Sequence, residues 1–191
     1  MNYGASRAAR RCFGHGKGLP ELRAGPPTAR EGVAGKRFWQ WRGFLDLSDQ
    51  GIVKDASCQE TWAALRDDGK AVLIDVRTRS EWAFVGLPDL AELGKNVLAI
   101  EWQTFPHSEL DPEFTDRLQR QLENLGVGAT DPLFFICRSG GRSRMAAEAM
   151  RHCGYSKCIN VADGFEGPLD ANRHRGTVAG WKKDGLPWVQ G

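Results

Sequence analysis

The stretch Phe134-Phe135-Ile136-Cys137-Arg138-Ser139-Gly140-Gly141-Arg142-Ser143 decides the fold of this 191-residue chain. Leu133 to Ile136 is a short apolar run fenced by Asp131-Pro132, the pattern of a strand covered on both faces of a parallel sheet. No large apolar side chain follows Cys137 until Met145. From Ser143 onward Met145, Ala146, Ala149 and Met150 recur at helical spacing, and Gly154 stands where that helix would stop. The unit is strand, tight loop, helix. A loop at the carboxyl end of such a strand opens into the crevice where open α/β sheets bind ligands, and the next helix aims its free N–H groups and positive dipole end into it. Gly140 and Gly141 permit the positive φ angles and close backbone approach that a ring of inward-pointing amides needs, and Arg138 and Arg142 add fixed positive charge. The sequence therefore predicts an anion cradle with a cysteine at its foot. An isolated thiol titrates near ~8.5, and helix N-termini with neighbouring cations draw it to roughly 3.5–7.5. Cys137 is expected to be a standing thiolate and a nucleophile. A packed, inert cysteine is the common alternative; two arginines and two glycines in the next five positions argue against it.

Three separated segments then match one family in order. C-R-S-G-G-R-S at Cys137 to Ser143, I-D-V-R-T-R-S-E-W at Ile74 to Trp82, and N-V-A-D-G-F-E-G with G-W-K-K-D-G-L-P-W downstream resemble a single-domain rhodanese-like sulfurtransferase over about Ile52 to Gln190. The resemblance implies an α/β fold: a rhodanese-like open parallel sheet with helices on both faces, single domain, plus an N-terminal extension. It implies that Cys137 carries a persulfide, that the amides of Arg138, Ser139, Gly140, Gly141, Arg142 and Ser143 wrap the bound sulfur or oxyanion, and that Arg142 closes the loop. It also implies that Asp75, Arg77 and Glu81 form a polar brace under the sheet; a carboxylate and a guanidinium near a strand end can pair and fix the outgoing loop. The expected chemistry is two displacements, from a small anionic donor such as thiosulfate onto Cys137 and from there to cyanide or to a small-molecule or protein thiol. No metal or organic cofactor is expected. Related phosphatases resemble C-x-x-x-x-x-R, one residue longer than C-x-x-x-x-R here, and need a general acid that this sequence does not identify. A second alternative is a catalytically silent binding module, which the intact cysteine and both arginines oppose.

The rest of the domain follows from local patterns. Ile52-Val53 is expected as a short first strand, and Ser57 as a helix N-cap with Glu60 three positions on. Ala71 to Val76 is expected as the second strand and Asn96 to Ile100 as the third. The loop leaving the third, Glu101 to Pro106, should lie on the side of Cys137, with Trp102 and Phe105 as candidate pocket walls. Phe114, Leu118, Leu122 and Leu125 mark one face of a helix that Gly126 ends. Lys157 to Val161 is expected as the last strand, after which Asp163 to Gly167 turns back toward the crevice. His107 and His174 are expected on the surface, the latter between Arg173 and Arg175. Trp181 and Trp188 should cover the sheet edge or rim the pocket.

Residues 1–42 hold nine Lys/Arg and two Asp/Glu, a net of +7, whereas 43–191 hold seventeen and twenty-two, a net of −5; these sum to the chain's +2. With seven Gly and three Pro and no apolar periodicity, residues 1–42 are expected to be a disordered basic leader ahead of a 43–191 domain. Glycines interrupt any transit-type amphipathic helix, and no apolar segment follows Arg10-Arg11 as a twin-arginine signal requires. Phe38, Trp39, Trp41, Phe44 and Leu45 are expected to fold back over the domain, the alternative being a partner-binding patch. No apolar run approaches the ~20 residues of a spanning helix, so no membrane partner is expected, and the leader's charge alone does not make a nucleic-acid site. Five cysteines, Cys12, Cys58, Cys137, Cys153 and Cys158, show no C-x-x-C spacing. They suit a reducing, cytoplasmic setting.

Overall fold

The computed structural model describes residues 52–191. The expected leader, Cys12 and the Phe38–Leu45 aromatics lie outside the described residues.

Seven strands and four α-helices follow one another among the described residues: β1 Lys54–Ala56, α1 Cys58–Asp67, β2 Val72–Asp75, α2 Arg79–Val85, β3 Leu87–Pro88, β4 Leu98–Ala99, α3 Phe114–Asn124, β5 Leu133–Ile136, α4 Gly141–His152, β6 Cys158–Val161 and β7 Trp188–Val189. Five of the strands form one sheet in the order β1-β6-β5-β2-β4, with every pairing parallel. The apolar run Leu133–Ile136 becomes the central strand because it is buried on both faces. Leu133 and Phe135 join Phe114, Leu118, Leu122, Ala146 and Met150 of α3 and α4 on one face, while Phe134 and Ile136 join Leu65, Phe165 and Trp181 on the other. Cys137 continues the first series, as a period of two requires. From β2 the chain runs outward to β4, whereas β5 lies on the other side of β2. The crevice at that reversal is where such sheets place ligands.

Local chemistry sets the helix starts. Ser57 and Glu60 form a reciprocal capping box ahead of α1, and Thr78 and Glu81 form another ahead of α2. The second helix replaces the loop expected after Arg77. Its signal, Thr-x-x-Glu, is present in the sequence but lacks an apolar stripe, and none of its residues is buried.

Several boundaries differ from expectation. β1 begins at Lys54, not Ile52: Ile52 is 68% exposed, and the ladder to β6 starts at Lys54 opposite Ile159. An edge strand shows only half of an apolar pattern, so the apolar pair misplaced it. α3 stops at Asn124, which leaves Leu125 as an exposed cap residue rather than a core contact. β6 is not the last strand, because Trp188–Val189 pairs antiparallel with Leu87–Pro88 in a separate two-stranded sheet; two-residue strands carry no periodicity to detect. No helix among the described residues is long and apolar enough to cross a membrane.

Candidate active site

Cys137 follows β5 directly and α4 begins at Gly141, two residues earlier than its apolar spacing suggested. Gly141 and Arg142 are therefore first-turn residues of the helix. The loop proper is Cys137 to Gly140, bent by Gly140 at φ 91°, a conformation that favours glycine. A Cβ on Gly140 would stand 2.0 Å from the Ala162 carbonyl oxygen.

The turn after β6 clamps the loop from outside. Phe165 N–H donates to the Cys137 carbonyl at 2.8 Å, and Glu166 and Gly167 N–H donate to the Arg138 carbonyl at 3.0 and 3.2 Å. The Gly140 carbonyl accepts from Arg144 N–H at 3.2 Å. With the carbonyls held this way, the amides from Arg138 to Ser143 donate to no acceptor among the described residues. That is the electrostatic form of an anion cup: free N–H groups at the start of a 12-residue helix.

Cys137 lines a cleft of about 580 Å³. Thr78, Ser80, Glu81 and Val85 line one wall, Gln103, Thr104, Phe105 and Ser108 another, and Arg138, Ser139, Gly141 and Arg142 the loop side. Cys137 is 1% exposed. Its Sγ lies within hydrogen-bond distance of Ser143 Oγ, at 3.2 Å.

The two loop arginines differ in use. Arg142 donates Nη1 and Nη2 to the two Glu81 carboxylate oxygens at 2.8 and 2.6 Å. Among the described residues the Arg138 side chain has no ion-pair or hydrogen-bond partner, and it is exposed at the cleft. Burial alone would push the Glu81 carboxyl up, but hydrogen bonds from Arg142 and Thr78 together with the Arg142 charge outweigh it and hold the group at about 2. Its hydrogen bond to Glu81 in turn raises the Arg142 guanidinium, against the opposing effect of burial.

The expected three-residue brace divides in two. Asp75 and Arg77, both fully buried, pair directly: Arg77 Nε donates to both carboxylate oxygens at 3.0 Å and Nη2 to Oδ2 at 2.6 Å. Nη2 also donates to the Gly86 carbonyl at 2.7 Å, and the guanidinium lies 4.1 Å over the Phe165 ring. The brace thus supports the residue whose amide holds the Cys137 carbonyl. Glu81 is not part of it; as the N3 residue of α2 it points to Arg142 instead.

Other expected residues separate as well. Phe105 lines the cleft at its exposed rim, but Trp102 turns inward, its ring 4.9 Å from Phe114 in an edge contact. Gly140 and Ser143 do not line the cleft; one shapes the turn and the other stands behind the sulfur. His174 is exposed and His107 lies on the exposed loop, neither in the lining. Trp181 is fully buried, and Trp188 lies in β7 with Lys182 3.7 Å over its ring. Cys58 and Cys158 are buried, and that burial pushes each thiol up to about 12. Asn160 and Asp55 were not singled out from the sequence, although an asparagine within the apolar run Cys158–Val161 was a visible signal. Among the described residues no cluster of His, Cys, Asp and Glu is arranged to hold a metal ion.

A parallel sheet with a cysteine-based amide cup at its switch point defines a rhodanese-like domain. Residues 53–191 match the family model described as the STR4 middle domain, and the chain belongs to that family. An uncharacterized protein of Rickettsia conorii is 37% identical over 71% of this chain and 97% of its own length. A protein of Allochromatium vinosum named as a sulfurtransferase is 24% identical over 72% of this chain and 96% of its own. The crystal structure of Rv0390 from M. tuberculosis, 41% identical, superposes with a TM-score of 0.65 over 73% of this chain and 99% of that one.

Proposed function

We propose that this protein is a sulfurtransferase that carries sulfane sulfur as a persulfide on Cys137, taking it from a small anionic, thiosulfate-like donor and passing it to a thiol or to cyanide. The observation that carries this reading is the placement of the buried Cys137 in the lining of a cleft, next to a loop whose amides donate to no acceptor among the described residues. The sulfurtransferase name of a full-length relative supports it.

In the first step the Cys137 thiolate attacks the outer sulfur of thiosulfate. The new S–S bond forms as the old one breaks, and sulfite leaves with the electron pair. Arg138, an exposed cation in the cleft lining, neutralises the donor's charge, while the loop amides stabilise the persulfide anion. Arg142 serves this step by holding the loop shape against α2. In the second step an acceptor thiolate attacks the outer sulfur, giving the acceptor persulfide and restoring the Cys137 thiolate; cyanide in the same role gives thiocyanate. A reducing compartment, the cytoplasm, suits a cycle that must return its cysteine to the thiolate.

Intact-protein mass spectrometry before and after thiosulfate, on the wild type and on Cys137→Ser, tests the reading. A gain of about one sulfur atom, removed by cyanide and absent from the variant, is expected for a covalent intermediate on Cys137. Labelling only by other sulfane donors would change the donor and keep the chemistry. No gain with any donor would reject it in favour of a binding module.

A further inference from the structure

Behind the cup, Cys137 Sγ begins a line of polar groups that runs to the edge of the sheet. Ser143 Oγ lies 3.2 Å from Cys137 Sγ, 2.7 Å from Asn160 Oδ1 and 3.0 Å from the Gly140 carbonyl oxygen. Asn160 Nδ2 donates to Asp55 Oδ1 at 2.8 Å. Asp55 Oδ2 accepts from Arg144 Nη2, and Arg144 Nη1 donates to the Val53 carbonyl at 3.2 Å. Ser143 and Asn160 are 0% and 2% exposed, while Asp55 and Arg144 reach solvent at β1.

The outer end fixes the direction of this line. An ionised carboxylate only accepts hydrogen bonds, so Asp55 requires the Asn160 NH₂ group, and that turns Asn160 Oδ1 toward Ser143. Ser143 has a single hydroxyl proton. While Cys137 is a thiol, S–H can donate to Oγ and O–H to Asn160 Oδ1, and every group is satisfied. Once Cys137 is a thiolate, the hydroxyl must turn to the sulfur. Asn160 Oδ1 and Ser143 Oγ then face each other with no proton between them, a buried acceptor left without its donor. An amide free to turn over would present Nδ2 to Oγ and remove the conflict.

We infer that Asp55 is a positioning residue for Cys137: by locking the Asn160 amide it withholds the Ser143 proton from the sulfur and acts as a brake on thiolate formation. The other charges around the sulfur are Arg142, close enough for it and Cys137 to interact, with Glu81 of α2 behind it; the Asp75–Arg77 pair at the end of β2; Arg138; and Asp163 and Glu166 on the turn after β6. None of these hydrogen-bonds to Ser143 or Asn160. The inference rests on Cys137 as the reacting atom of the proposed cycle, but alkylation reads its thiolate without any sulfur transfer, so the two can fail separately.

The test is the pH profile of iodoacetamide alkylation on the full chain, with peptide mass mapping to separate Cys137 from the other cysteines. It compares wild type, Asp55→Asn, Ser143→Ala and the double variant. Asp55→Asn should move the profile about 0.5 pH unit toward acid, roughly a threefold faster reaction below the midpoint. In the Ser143→Ala background the same change should move nothing, because there is no hydroxyl to redirect. An unmoved profile in Asp55→Asn overturns the inference. So does an equal shift with and without Ser143, which would mark a through-space loss of negative charge. Asp55→Ser, which also offers a donor to Asn160, repeats the comparison should the asparagine variant fail to fold.

Discussion

Arg138 and Arg142 sit in one loop and do different work, and substitution should separate them. Arg138 is the cation at the cleft without a partner among the described residues, and a charge-assisted contact is worth about 1.5–3 kcal/mol. Arg138→Ala is expected to raise the thiosulfate KM roughly tenfold or more in steady-state assays, with the melting temperature unchanged. Arg142→Ala strands Glu81 in a site 19% exposed and should cost about 2 kcal/mol in urea unfolding, with turnover falling because the loop loses its tie to α2. The sequence shows both arginines but not this division. Charge and spacing locate a guanidinium; only the packing of α2 across the cleft says which of the two has a carboxylate waiting.

At the scale of elements, the joint between loop, helix and the turn after β6 is backbone against backbone. Gly140→Ala would set a Cβ 2.0 Å from the Ala162 carbonyl at φ 91°, so a loss of about 3 kcal/mol is expected in chemical denaturation. The α2–α4 tie is sensitive to acid. The Glu81 carboxyl is held at about 2 in the folded chain against an ordinary 4.5. Its contribution is therefore complete above pH 4.5 and is lost as pH falls from there toward 2. Melting temperature followed through that window should fall more steeply for the wild type than for Glu81→Gln. The central strand, the tight turn at Gly140 and α4 were legible because burial on both faces, glycines and a helical stripe each write a strong local pattern. Short or half-buried elements were not. The edge strand β1, the two-residue β3 and β7, and α2 with no buried residue owe their form to partners far along the chain, as does the inward turn of Trp102 onto Phe114.

Across the whole domain, the C-terminal segment closes the face of the sheet opposite α3 and α4. Trp181, fully buried, packs 5.9 Å from Trp62 of α1 and donates Nε1–H to the Pro187 carbonyl at 2.8 Å, while Lys182 reaches the Val85 carbonyl at 2.8 Å. Trp181→Ala should lower stability by about 3–5 kcal/mol, and hydrogen exchange should speed up first at β3 and β7, the small sheet that this segment anchors.

The burial of Cys137 makes the proposed cycle self-concealing. At 1% exposure, the empty cysteine offers its sulfur only to reagents small enough to descend the cleft. An added sulfur stands about 2 Å farther out, in the space where a second substrate arrives. In the proposed cycle the unloaded protein would be shielded from bulky oxidants and electrophiles, and the loaded one would present its cargo. A bulky maleimide should discriminate between the two states, reacting with the persulfide faster than with the bare thiol.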